Sequence, residues 1–452
     1  MYTHYGDRMT GIVDGTDGKV LFCSDKYLFT FMTRERLEKE QSETITPEDG
    51  FVFATAHNGK KVAIYTGNRA LKIDRYQSTI SFHTDLFFVS EFPVAKMDLR
   101  SFRFISFRGG VLDRLKPFNP IKADFNKENE DIISVERSMK SETHSFPTPD
   151  GLCEITTGVF PADSSGEDSM TLKDESYLSL KFEEEQPLSS FSKHFQHIRR
   201  LVSFLTNRTD TPFREIQIRT EYEGCFLPQM QVFVHDKDNE RIAPHYNSCI
   251  TFDKLGSGIA TLLEIFYNSK KNKPSYSLGF IPSSDDTWWI VTDDTVRAVS
   301  SALECEADLD KELTGVQSLP LHELCSKVEE TVKEHREQHK GQPVLTDGTY
   351  NLIFGSIRHW SMSAFDRISL IFHKHEEALE KLPRYRNAFI SDDDIHSFIS
   401  YRNNISHGTY REMTQQIRNT TLILEMLVYC CLLARIGVSK SIIEEICSMH
   451  IE

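Results

Sequence analysis

The stretch Ser391-Asp392-Asp393-Asp394-Ile395-His396-Ser397-Phe398-Ile399-Ser400-Tyr401-Arg402-Asn403-Asn404-Ile405-Ser406-His407-Gly408 decides how the C-terminal part of this chain is read. Its acidic opening after Ser391 is a helix start, and Gly408 is a helix stop. On a helix at about 100° per residue with Ile395 at zero, Phe398 falls at about −60°, Ile399 at about 40° and Ile405 at about −80°. Arg402 falls at about −20°, in the middle of that apolar arc. A guanidinium on a buried stripe is costly unless something anionic meets it. A carboxylate in a structural ion pair would serve, the stem could pack while the head reaches water, or a ligand phosphate could sit there.

His407 sharpens the choice. It follows Arg402 by five positions, roughly 7.5 Å along a helix axis, and directly precedes Gly408. The last turn of a helix presents unpaired carbonyls and the negative end of the macrodipole, which favour an imidazolium. A histidine there can hold or release a proton near neutral pH. One permanent cation to clamp a phosphate beside one titratable group is a minimal kit for metal-free RNA cleavage by the neighbouring 2′-hydroxyl.

Working outward, helical signal is nearly continuous after Thr292. Asp293 and Asp294 start a helix through Val296, Val299 and Leu303, and residues 321–340 read as a long charged helix. Residues 350–382 carry Ile353, Ile357, Trp360, Ala364, Phe365, Ile368 and Ile371 on one stripe. Helices are also expected at 393–407, 412–436 and 440–449, with 422–433 apolar nearly all round, as in the central helix of a bundle. The first ~280 residues read mainly as strands, for example 19–23, 51–54, 62–65, 86–89, 216–219 and 232–234, rich in β-branched and aromatic residues. One helix interrupts them at 191–205. Polar stretches at 126–148 and 161–169 read as loops, and the periodicity lapses between Asn268 and Asp285. The expected organisation is an α+β multidomain chain, with a β-rich region over 1–280 and a helical bundle over 290–452.

Composition narrows the function classes. A length of 452 residues exceeds one compact core. The net charge of −15 means that any nucleic acid must meet a local basic patch, and it disfavours an anionic membrane surface. From 321 onward there are 15 Lys and Arg against 18 Asp and Glu, so this region is not basic as a whole. The N-terminal residues lack a signal peptide pattern, and the longest apolar run, 426–434, is too short to span a bilayer. Nine cysteines without framework spacing read as reduced, buried thiols in a cytoplasmic protein. His194 with His197, and His373 with His375, lack supporting ligands and read as surface histidines, so neither a metal nor a cofactor is expected. P-loop, Rossmann and nucleophile-elbow patterns are missing.

The run Arg402-Asn403-Asn404-Ile405-Ser406-His407 resembles the signature of the HEPN superfamily: Arg, a polar residue, three residues and His on a helix of a small bundle. The looser spacing also occurs at Arg137 with His144 and at Arg367 with His373, but only the third pair has a polar residue after Arg and Gly after His. A β-rich region followed by such a bundle is similar to the ApeA family of bacterial anti-phage proteins, as is the segment Leu201-Val202-Ser203-Phe204-Leu205-Thr206-Asn207. The resemblance implies a metal-independent endoribonuclease acting in abortive infection, with host tRNA as one candidate RNA. It implies Arg402 and His407 as the catalytic pair, Asn403 orienting them, and a homodimer whose two motifs meet in one composite site. Larger assembly, and a phage-derived trigger acting on the N-terminal region, stay open.

Lys381-Leu382-Pro383-Arg384-Tyr385-Arg386 sets three cations and a ring just before the motif, so Lys381, Arg384 and Arg386 are the RNA-contact candidates, against a plain solvated loop. Asp366 and Arg367 could line the same groove or form core-edge ion pairs. The competing reading is a HEPN-fold module that binds RNA or nucleotide without cutting it. A third reading makes Arg402 and His407 structural and leaves function to the N-terminal half.

Overall fold

The structure, a computed structural model, describes residues 8–34, 42–74, 79–93, 100–115, 122–125, 133–136, 141–161, 164–165, 170–171, 174–209, 211–222, 225–226, 230–235, 250–268, 290–310, 319–340, 345–358, 363–387, 389–409 and 411–449. The chain divides into two compact units, Met1–Asn268 and Ser269–Glu452. Residues 269–289, where the periodicity lapses, lie outside the described residues.

The first unit is built on one large antiparallel sheet. Its strands are β1 (Met9–Val13), β2 (Val20–Asp25), β3 (Leu28–Thr33), β4 (Phe51–Ala56), β5 (Lys61–Tyr65), β6 (Thr79–His83), β7 (Leu86–Ser90), β8 (Ser101–Arg108), β9 (Ser141–Thr148), β10 (Gly151–Pro161), β11 (Asp174–Pro187), β12 (Glu215–Arg219) and β13 (Met230–Val234). Their order is β9-β10-β11-β8-β12-β13-β7-β5-β4-β1-β2-β3-β6. Alternation explains the faces: β2 buries Val20, Phe22 and Ser24 and turns Leu21 and Cys23 the other way. Toward the β1–β3 end, Val13, Phe22, Phe29, Phe31, Val62, Ile64, Phe87 and Phe233 form one aromatic-rich core.

At the other end, helix α1 (Phe191–Thr206) covers the opposite face and buries Phe191, Phe195, Ile198, Leu201, Val202 and Leu205. Asn207 stops it in a left-handed conformation, φ 51°, which asparagine tolerates. A one-turn helix, α2 (Phe252–Leu255), leads to α3 (Gly258–Tyr267), which packs on α1 and β9.

Three local expectations change here. The region read as strands with one helix also contains α3, whose all-round apolar sequence hides its period. The polar stretch at 126–148 contains the strands Ile133–Glu136 and β9, because Ser and Thr are good strand residues on a solvated face. The polar stretch at 161–169 contributes Ser164–Ser165, which pairs with Met170–Thr171.

The second unit is helical throughout its described elements: α4 (Asp293–Leu309), α5 (Leu319–Gln338), α6 (Asp347–Arg358), α7 (Ala364–Leu379), α8 (Pro383–Asn387), α9 (Asp392–Ser406), α10 (Gln415–Arg435) and α11 (Lys440–Met449). Helix α10 lies against α4, α7, α9 and α11. It is long and apolar enough to cross a membrane by length and composition, but it is mostly buried within the bundle. The single stripe expected over 350–382 is in fact two helices, α6 ending at Arg358 and α7 starting at Ala364, and residues 359–362 lie outside the described residues. Ser363 caps α7, with the Asp366 carboxylate accepting from the Ser363 N–H and Oγ, so a new helix begins there. Trp360 lies outside the described residues.

Candidate functional site

Helix α9 is held at both ends by its own sequence. At its start, the Asp394 carboxylate accepts from the Ser391 N–H and Oγ, both at 2.8 Å. At its end, Thr409 N–H reaches the Asn404 carbonyl (2.9 Å) and Gly408 N–H the Ile405 carbonyl (3.3 Å), with Gly408 at φ 74°. This is the Schellman arrangement, and it needs a residue at ease in the left-handed region. Ile395, Phe398, Ile399, Tyr401 and Ile405 are buried.

The three motif residues stand where that helix meets solvent. Arg402 is half-buried rather than sunk in the apolar stripe. One terminal nitrogen donates to Glu304 Oε1 of α4 at 2.5 Å, and the other to Asn403 Oδ1 at 3.1 Å. The anion that meets the guanidinium is therefore a protein carboxylate, and the remaining donors make no hydrogen bond to a described residue. Asn403 is exposed, and its contact with Arg402 fits the orienting role expected for it. His407 is the exposed C-cap residue, and its ring makes no hydrogen bond to another described residue.

Helix α4 supplies partners that sequence reading missed. Arg297 donates to the Ile405 carbonyl at 2.8 Å while pairing with Asp294, and Tyr401 donates to Asp293 at 2.7 Å. Glu304 also accepts from Ser300. Arg297 satisfies a last-turn carbonyl and places a second cation near His407. Arg411 adds a third on the same helix by donating to Ser400 at 3.4 Å. Glu304 and Arg297 carry no local signal, since they act across about a hundred residues of sequence.

The competing pair is consumed structurally. Arg367 pairs with Asp308 at 3.0 Å, and His373 bridges Glu376 (3.1 Å) and Asp392 (3.3 Å). Those two carboxylates hold the His373 imidazolium above its usual pKa, the Glu376 hydrogen bond contributing most. Asp366 accepts from Ser363 at the start of α7, and Arg367 makes the core-edge ion pair that was one of its two expected roles. Arg137 lies outside the described residues.

The expected RNA-contact segment is only partly open. Residues 383–387 form α8 rather than a loop. Lys381 is exposed and Arg384 half-buried, while the Arg386 side chain lies outside the described residues. The Tyr385 ring is 4% exposed and packs in the core, so the exposed aromatic here is Phe389 (64%), which touches it edge-on.

The first unit holds two strongly shifted histidines. His194, expected at the surface, is buried, with Nδ1 2.9 Å from the Tyr267 hydroxyl and rings of Phe102 and Phe182 around it. Burial pushes its pKa down to about 3, and burial with Arg200 pushes His197 down to about 4. His194 is a core histidine and His197 a half-buried one, and both rings lie against Tyr267 of α3. Cys153, Cys305, Cys430, Cys431 and Cys447 are buried free thiols, and Cys23 and Cys325 are half-buried. Among the described residues, no three His, Cys, Asp or Glu side chains are grouped to hold a metal.

No curated protein and no solved structure matches the chain. The family model ApeA N-terminal domain 1 matches residues 34–276, which is more than half of the sequence and leaves the motif helix outside the match. The chain belongs to the ApeA family.

Proposed function

We propose that this chain is a metal-independent endoribonuclease whose second unit cuts RNA through Arg402 and His407. Membership in the ApeA family suggests anti-phage defence, and this reading supplies the chemistry for it. The observation that carries it is the state of the two side chains: Arg402 is oriented by Glu304 and Asn403 with donors to spare, and His407 stands exposed one helical turn beyond. A guanidinium so held can clamp the scissile phosphodiester and offset charge that develops on its oxygens. The imidazole would move the proton, from the attacking 2′-hydroxyl or to the leaving 5′-oxygen.

One imidazole cannot serve as base and acid in the same step, which favours a homodimer in which two motifs share one site. In this reading Arg297 and Arg402, though paired with Asp294 and Glu304, supply the local positive charge that an acidic chain needs for RNA. Lys381 and Arg384 extend it in this reading.

The Glu304–Arg402 pair favours a second reading, in which Arg402 only ties α9 to α4. Cleavage of end-labelled total RNA in EDTA, comparing wild type with His407→Ala and Arg402→Ala, separates the two. The nuclease reading expects fragments ending in 2′,3′-cyclic phosphate from wild type alone. Equal cutting by the variants would remove both residues from the mechanism.

A further inference from the structure

The polar face of the sheet in the first unit holds groups that lack partners among the described residues. Alternation puts Phe104, Ser106 and Arg108 of β8 on the face opposite the buried Ile105 and Phe107. On β12, Glu215, Gln217 and Arg219 share that face, since Ile216 and Ile218 point into the core. The register pairs Arg108 with Glu215, Ser106 with Gln217 and Phe104 with Arg219. On the other side of β8, Tyr177 of β11 pairs with Arg108.

Gln217 is only 6% exposed, and its amide oxygen accepts no hydrogen bond, although its nitrogen donates to Glu215. A buried amide oxygen without a donor is costly, and native structures rarely leave one so. Arg219 is half-buried and makes no hydrogen bond or ion pair with a described residue. Burial and the neighbouring Arg108 both press on its charge, and the carboxylates of Glu91 and Glu215 only partly offset them. Arg108 has only a long 3.8 Å approach to Glu215 and lies 5.3 Å over the Phe160 ring. A donor-rich guanidinium and a donor-hungry amide, side by side and both unmet, point to a missing ligand that carries an oxyanion and an N–H or O–H donor.

The flanking rings narrow its class. Tyr177 lies across Gly158, where a Cβ would sit 2.7 Å from the phenol oxygen, so this position requires glycine for the ring to lie along the sheet. Phe160 is 6.0 Å from that ring. Four residues along and one strand across place the Arg108 and Arg219 backbones about 14 Å apart, a span that suits a planar base with a phosphate.

We propose that this face binds a nucleoside 5′-phosphate, with Arg219 holding the phosphate, Gln217 accepting from the base, and Arg108 with the Tyr177–Phe160 pair flanking the base. The site lies apart in sequence from Arg402 and His407 and does not depend on the nuclease reading.

Calorimetric titration of the full chain with AMP, GMP, CMP and UMP tests it, with the matching nucleosides, inorganic phosphate and citrate as controls. The expected result is saturable binding of at least one nucleotide, at least about tenfold tighter than its nucleoside. Arg219→Ala and the near-isosteric Gln217→Leu should each weaken it by about tenfold or more. Thermal melting of the variants checks that the unit remains folded. Binding of citrate alone, binding of no nucleotide, or nucleotide binding that survives both Arg219→Ala and Gln217→Leu would overturn the proposal.

Discussion

Helices α1 and α9 look alike in sequence and serve opposite ends. Each has an apolar stripe, each carries arginine and histidine among its polar residues, and each stops on a residue with positive φ, Asn207 or Gly408. Helix α1 lies between the sheet and α3, and ten of its sixteen residues are buried, His194 among them. Helix α9 buries five of fifteen and leaves Arg402, Asn403 and the following His407 at or near solvent. The titratable group of α1 is thus committed to packing, while the histidine that ends α9 stands exposed. A lowered pKa marks the first, and marks burial rather than chemistry; exposure at a capped helix end marks the second.

The sharpest way to break this contrast is to remove each histidine in turn. If His407 moves the proton, His407→Ala is expected to lower RNA cleavage by about 10²–10⁴-fold, with unfolding free energy changed by less than about 0.5 kcal/mol. Chemical denaturation beside a gel assay reads both. A large loss of stability with unchanged cleavage would invert the comparison.

The next effect concerns pH. Because the His194 pKa is lowered on folding to about 3, the neutral form is the one the fold prefers. Its contribution to stability is complete above the unfolded value near 6.5 and is lost as pH falls toward about 3. At pH 5 the loss approaches about 2 kcal/mol, an upper figure. Urea midpoints between pH 7.5 and 5 should fall in wild type and fall less in His194→Gln. Parallel pH curves would show that this histidine does not control the effect.

A smaller effect tests the link between α4 and the motif. Glu304→Gln keeps a hydrogen bond but removes the charge that orients Arg402, and cleavage should fall about tenfold, or ~1.4 kcal/mol in the barrier. The stability change should stay below about 1 kcal/mol, as for other solvent-exposed ion pairs. Equal losses in Arg402→Ala and in its double variant with Glu304→Gln would show that Glu304 acts through Arg402. Smallest of all, Gly408→Ala places a Cβ at φ 74° and should cost about 1 kcal/mol, read as a lower melting temperature. Full cleavage activity at permissive temperature would confine Gly408 to capping.

Much of the second unit was legible because its signals are local. Ser391 and Asp394 start α9, Gly408 ends it, and the apolar surroundings of residues 422–433 mark the helix at the centre of the bundle. The break at Ser363 was equally local, a serine three residues before an aspartate, but the hydrophobic stripe continues through it and masks the new start. In the first unit, alternation revealed strands, yet polar strands such as β9 gave little apolar signal, and α3 lost its period to all-round hydrophobicity.

The sequence by itself determined the β-rich and helical halves, where α9 is capped, and that Arg402, Asn403 and His407 share one end of it. Period, cap and stop are interactions within a few residues, so they can be read along the chain. Only the tertiary structure decided that Glu304 meets Arg402, that His194 is buried beside Tyr267, and that the Gln217 amide oxygen and the Arg219 guanidinium find no hydrogen-bond partner among the described residues. Those outcomes depend on which distant surfaces pack together. The cost of burying a polar group is set by whatever then surrounds it, which no stretch of neighbouring residues specifies.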